Sequence, residues 1–90
     1  MKFEWDNKKA AANIKYHGIS FQEAASVFGD SLAITFNDPD SSFGEYRFLT
    51  FGTSRNGKSI IVSHTESNGS IRIISARLME KREKKIYQEG

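Results

Sequence analysis

Cysteine is absent from the 90 residues, which excludes disulfides, thiolate metal sites, thiol nucleophiles and thiol redox switching together. Proline occurs once, and no apolar run approaches the roughly 18 residues that a membrane span requires. The opening Met1-Lys2-Phe3-Glu4-Trp5-Asp6 lacks the charged-then-apolar plan of a signal peptide, so a soluble, cytoplasmic protein with no membrane partner is expected. No serine sits in a Gly-x-Ser-x-Gly elbow, and neither Gly-x-Gly-x-x-Gly nor a P-loop occurs. Hydrolases and nucleotide binders of those kinds are therefore not expected.

What is present describes one folded domain over residues 1–90, since a chain of this length has room for a single, thin core. With 38% hydrophobic, 12% aromatic and 27% charged residues, the composition is that of a folded chain and not of a disordered one. Such a thin core leaves room for stabilisation by a partner or by self-association as a homodimer. The net charge of +2 hides an asymmetry: residues 1–45 hold 4 Lys/Arg against 7 Asp/Glu, whereas residues 46–90 hold 9 against 4. A basic second half suits a polyanion, most simply a nucleic acid.

Local patterns predict an α+β domain. Lys2 to Trp5 reads as a short strand, and Asp6 stands where a helix N-cap should, before a helix over 7–16 that ends near His17 and Gly18. Ser20-Phe21-Gln22-Glu23 matches a capping box, and Phe21, Ala24, Ala25 and Phe28 then share one face of a second helix. Leu32, Ile34 and Phe36 alternate as on a half-buried strand, and the turn formers of Asn37 to Gly44 give way to an inner strand over 46–51. Asn56-Gly57 and Asn68-Gly69 supply the positive φ angles of tight hairpin turns between β-branched runs. The run from Leu78 to Glu89 reads as a basic helix with Met79, Ile86 and Tyr87 near one face. The expected fold is an antiparallel meander of three to four strands packed with two N-terminal helices and one C-terminal helix.

Few side chains carry chemistry. Asp38, Asp40 and Glu45 fit no calcium-loop spacing and read as a solvated turn, and His17 and His64 lack the partners of a zinc site, so neither metal nor cofactor is expected. His17, beside Gly18, reads as a helix C-terminal residue favoured by the dipole. His64 falls on the face of Ile60 and Val62, where it is either a hydrogen-bonded core histidine or a functional one. Arg72 and Arg77, on a strand running into Lys81, Arg82, Lys84 and Lys85, are costly unless they meet phosphate, carboxylate or water. For the helix cations the alternative is a plain solvated face. Strict alternation puts Arg72 and Arg77 on opposite faces, and only a twist or bulge brings them together.

Phe3-Glu4-Trp5-Asp6, Lys9-Ala10-Ala11-Ala12-Asn13, His17-Gly18-Ile19-Ser20-Phe21, Glu23-Ala24 and Arg72-Ile73-Ile74-Ser75-Ala76-Arg77, with Glu83 and Tyr87, resemble the BrnT family of type II toxins across nearly the whole chain. Tyr16 departs from the lysine usual in that family before His17-Gly18. The resemblance implies a RelE-like fold and a ribonuclease that cleaves RNA without a metal and inhibits translation and growth. It also implies a BrnA-type antitoxin that covers the catalytic face, joins two toxins through its own dimer, and alone contacts operator DNA. RNA cleavage of this kind needs a base for the 2′-hydroxyl, cations for the phosphorane and an acid for the leaving oxygen. Arg72 and Arg77 with Arg47 are the expected phosphate contacts, His64 or Glu83 the base, Tyr87 or His64 the acid, and Lys81, Lys84 and Lys85 further RNA contacts. Two other readings use the same basic surface: a non-catalytic RNA-binding module, and a degenerate toxin that only binds its antitoxin.

Overall fold

The computed structural model describes residues 1–39 and 46–90. Its elements run β1 (Lys2–Glu4), α1 (Asn7–His17), α2 (Phe21–Ser26) with a 3₁₀ turn at Val27–Gly29, β2 (Ile34–Asn37), β3 (Phe48–Thr53), β4 (Ser59–Ser67), β5 (Ser70–Leu78) and α3 (Lys81–Glu89). The strands form one five-stranded sheet in the order β1-β5-β4-β3-β2. β2 to β5 are the expected antiparallel meander, but β1 joins the edge parallel to β5, pairing Phe3 with Ile71 and Glu4 with Arg72. The sheet is therefore mixed, a correction to the purely antiparallel expectation. The parallel pairing follows from connectivity: α1 to β4 intervene between β1 and β5, so the two strands are free to meet in the same direction.

Caps set the helix bounds. Asp6 Oδ1 accepts from the backbone N–H of Lys8 (2.7 Å) and Lys9 (3.3 Å), and Gly18, at φ 71°, closes α1 with its N–H on the Ile14 carbonyl. Ser20 Oγ accepts from Glu23 N (3.0 Å), which is half of the anticipated capping box. The other half is missing because the buried Glu23 carboxylate turns away to accept from Ser54 Oγ at 2.8 Å, with Lys58 Nζ at 3.8 Å. This bond ties α2 to the β3–β4 turn. At the last helix β5 continues to Leu78, so Met79 lies before α3 and is buried, while Ile86 faces outward at 46% exposure.

The two Asn-Gly turns differ. Asn68 (φ 51°) and Gly69 (φ 80°) both take positive φ, the two-residue hairpin expected from the sequence. At Asn56-Gly57 only Gly57 (φ 79°) does so; its N–H donates to Ser54 O at 2.9 Å, a longer turn ending in a left-handed glycine. Gly52 has a different reason: a Cβ there would stand 2.7 Å from Val27 Cγ1, so glycine lets the 3₁₀ turn lie directly on β3.

One face of the sheet carries the core. Ile60 and Val62 of β4 and Ile71, Ile73 and Ala76 of β5 pack against Ile19, Phe21, Ala24 and Val27, with Phe3, Trp5 and Phe28 at the margin. The spacing of the β5 core residues changes from two to three between Ile73 and Ala76. The cause is a bulge: His64 pairs with Ile73 and Ser63 with Ser75, leaving Ile74 without a partner. Asn13 of α1, 5% exposed, holds the strand just beyond it, accepting from Ala76 N (3.0 Å) and donating to Ala76 O and Ile19 O (2.9 Å each). A side-chain amide thus substitutes for a neighbouring strand where β1 has ended.

Candidate active site

The bulge decides which side chains share the second face. Alternation across it puts Arg72, Ser75 and Arg77 together, opposite Thr65, Ser63 and Ile61 of β4, so both arginines lie on the face away from α1 and α2. Three cross-strand rows result. Ile34, Phe51, Ile61 and Arg77 form one, Phe36, Leu49, Ser63 and Ser75 the next, and Thr65, Arg72 and Glu4 the third. Arg47, two residues before Leu49, extends the third row towards β2, its carbonyl accepting from Asp38 N at 2.9 Å.

α3 crosses the first row. Phe51, Ile61 and Met79 form a small apolar cluster beneath it, with Leu49 and Tyr87 against them. Two polar attachments fix the helix. Arg77 makes a forked pair with Glu83, Nη1 to Oε1 at 2.7 Å and Nη2 to Oε2 at 2.8 Å, and Glu83 Oε1 also accepts from Glu80 N at 2.8 Å, completing a capping box. Tyr87 donates its hydroxyl to Asp30 Oδ2 and stands 3.0 Å from Thr53 Oγ1. Asp30 accepts in addition from Thr53 N (2.8 Å) and Leu32 N (2.9 Å).

These contacts set the protonation states. The Arg77 guanidinium holds the Glu83 carboxyl down at about 2, and Glu83 in turn raises Arg77. The hydrogen bond from Tyr87 lowers Asp30, and the same bond raises Tyr87, which keeps the phenol protonated. Folded-state depression at Glu83 means that its stability contribution is complete above the ordinary carboxylate range and declines as the pH falls from there to about 2, while the folded chain keeps the carboxylate charged down to that pH. The α3 attachment therefore persists under mild acid.

Arg72 stands apart from this network. Its side chain is exposed, and it forms no ion pair or side-chain hydrogen bond among the described residues. Lys81, Lys84 and Lys85 are exposed along α3. Asp40 and Glu45 of the acidic loop lie outside the described residues, and no cluster of three or more metal-ligating side chains occurs among those described.

His64 is not brought to this face. It is 1% exposed on the opposite, core side, edge-on to Phe28 (4.9 Å) and stacked on Phe48 (5.7 Å). Its Nε2 lies 2.7 Å from Thr50 Oγ1, which is 2.8 Å from Thr35 Oγ1, and Nδ1 has no hydrogen-bond partner among the described residues. Burial pushes the imidazole down to about 4, with the Thr65 backbone a weaker opposing influence. At the position expected to supply a base or acid, the ring is therefore neutral and enclosed, on the side of the sheet away from Arg72 and Arg77.

An acid-stability prediction follows. The unfolded chain takes up the histidine proton near pH 6.5 and the folded chain only near 4, so stability is full above 6.5 and declines between these values. From pH 7 to pH 5 the loss is about 2 kcal/mol. Urea unfolding at the two pH values measures it, and a His64→Leu variant should show a smaller difference between them. An equal difference in parent and variant would contradict the assignment.

Sequence reasoning overlooked three contributors. Asn13 resembles any polar helix residue, Asp30 reads as a helix stop, and Thr53 carries no pattern. Only Asp30 had a usable signal, an acid just beyond a helix with no capping role left to it.

The family model for the ribonuclease toxin BrnT of type II toxin-antitoxin systems matches residues 5–83. The crystal structure of the Brucella abortus ribonuclease toxin BrnT superposes with a TM-score of 0.68 at 23% identity, over 90% of this chain and 99% of that one. No curated protein sequence matches. The structural likeness establishes a shared fold. The family match extends from Trp5 through the β5 arginines to Glu83 and so includes the bulged strand, Arg72 and Arg77. With that coverage, the chain belongs to the BrnT family of ribonuclease toxins of type II toxin-antitoxin systems.

Proposed function

We propose that this protein is an endoribonuclease toxin that cleaves RNA on the open face of its sheet without a metal, arresting translation and growth in the cytoplasm until a BrnA-type antitoxin covers that face. The RelE-like relationship belongs to the same reading. The observation that carries it is the bulge at Ile74, which sets Arg72, unpaired among the described residues, on the same face as the fixed Arg77.

The chemistry is a transesterification. The 2′-oxygen attacks phosphorus, its proton passes to a base, the bond to the 5′-oxygen breaks, and that oxygen takes a proton from water as it leaves. Arg72 contacts the phosphate, and Arg77 offers a second guanidinium to the charge that develops on the phosphorane. Glu83 is the proton acceptor: a phosphate that engages Arg77 competes with the carboxylate, and release from the fork returns its basicity towards the ordinary range. Tyr87 positions α3 through Asp30 and Thr53. Arg47, Lys81, Lys84 and Lys85 add electrostatic attraction for the strand. Operator DNA is reached only through the antitoxin.

The test is incubation of the purified chain with a defined single-stranded RNA in EDTA. Discrete fragments ending in cyclic phosphate are expected. Intact RNA, both alone and in the presence of ribosomes, would overturn the nuclease reading in favour of a module that binds without cleaving.

A further inference from the structure

The middle row of the open face has a property that the cleavage chemistry does not use. It runs from Phe36 on the edge strand β2 through Leu49 to Ser63 and Ser75, apolar at one end and hydroxylic at the other. Phe36 is 40% exposed, although the alternation of Ile34 and Phe36 reads as a buried pattern. Its ring is held edge-on by Phe51, at 5.2 Å between centroids and 71° between planes, so one aromatic surface is fixed in direction. The ring lies on the same face as the exposed Arg72, three strands away, a lateral distance of about 14 Å at the usual strand spacing. Cations at one side of a sheet and a fixed, exposed aromatic at the other are the two components with which sheets bind single strands: charge for the backbone, a flat ring for a base.

We infer that Phe36 is the base-stacking residue of this site, receiving one base of a single-stranded RNA whose backbone crosses the hydroxyl end of the row to Arg72. The inference rests on the proposed RNA-cleaving function and adds the residue that holds the substrate's base. Charge complementarity selects RNA over an apolar protein segment as the occupant, because Arg72 has no ion-pair partner among the described residues and Thr65, Ser63 and Ser75 line the path to it.

The test measures the affinity of a 2′-O-methylated single strand containing all four bases, which binds without being cut, across a series of salt concentrations. Phe36→Leu, which keeps apolar bulk against Phe51 but lacks a π face, is expected to weaken binding about ten- to hundred-fold. Phe36→Trp should retain affinity, and the fluorescence of the introduced indole should fall on RNA addition beyond any change from Trp5 in the parent. The salt slope should be unchanged in both variants, whereas Arg72→Ala should lower it by about one. Parent-like binding by Phe36→Leu, with the parent binding RNA, would overturn the stacking role alone. No RNA binding by the parent would overturn this role and the proposed function together. Loss of antitoxin binding in Phe36→Leu with RNA affinity intact would assign the ring to a protein contact instead.

Discussion

Arg72→Ala is expected to reduce RNA cleavage by about a hundred- to thousand-fold while leaving unfolding free energy within about 0.5 kcal/mol of the parent. In the proposed mechanism, the activity loss is the cost of removing the cation that contacts the phosphate. The unchanged stability follows from the structure: the side chain is exposed and makes no ion pair or side-chain hydrogen bond among the described residues. Arg72→Lys should recover only part of the rate, because an ammonium keeps the charge but loses the planar fork. Arg77 cannot give so clean a result, since its removal also releases Glu83 and loosens α3. Single-turnover cleavage together with urea unfolding of the same variants separates the two effects. A fall in stability matching the fall in activity would contradict the role given to Arg72.

Asn13→Leu is expected to damage the fold strongly. It removes the partners of the Ala76 N–H and C=O and of the Ile19 carbonyl in a buried setting. At about 1–3 kcal/mol for each buried group left unpaired, partly relieved by water at the sheet edge, the total is about 3 kcal/mol. For a domain of this size that lowers Tm by roughly 12–24 °C. Activity should fall as well, at temperatures where the variant is still folded, because Asn13 grips β5 between the bulge and Arg77. Thermal unfolding followed by circular dichroism checks the first effect. A drop of only a few degrees would show that Ala76 does not depend on this amide.

What could be read in the sequence and what could not divide along a physical line. Asp6, Gly18, Ser20 and Asn68-Gly69 announced their caps and turn because each acts on backbone groups within a few residues. The side of the sheet that His64 occupies was legible for the same reason, through its alternation with Ile60 and Val62. The parallel pairing of Lys2–Glu4 with β5 was not, since three extended residues carry no sign of the partner to which they bind. Nor was the bulge. Ile74 is an ordinary β-branched residue that nothing around it in the sequence marks, and Asn13, which holds Ala76 just beyond it from α1, is 61 positions before Ile74. The candidate site depends on that event, so its arginines were visible as residue types while their common face was not. Glu83 and Tyr87 were legible as chemistry, but their attachment to Arg77 and to Asp30 required the position of α3.

The central claim is that RNA meets the sheet face carrying Arg72 and Arg77. Amide chemical shifts of the labelled protein, titrated with an uncleavable 2′-O-methylated RNA strand, test it most directly. The account predicts perturbations at Phe36, Leu49, Ser63, Thr65, Arg72, Ser75 and Arg77, with α1 and α2 unaffected. Perturbations concentrated on α1 and α2, with those residues silent, would contradict it.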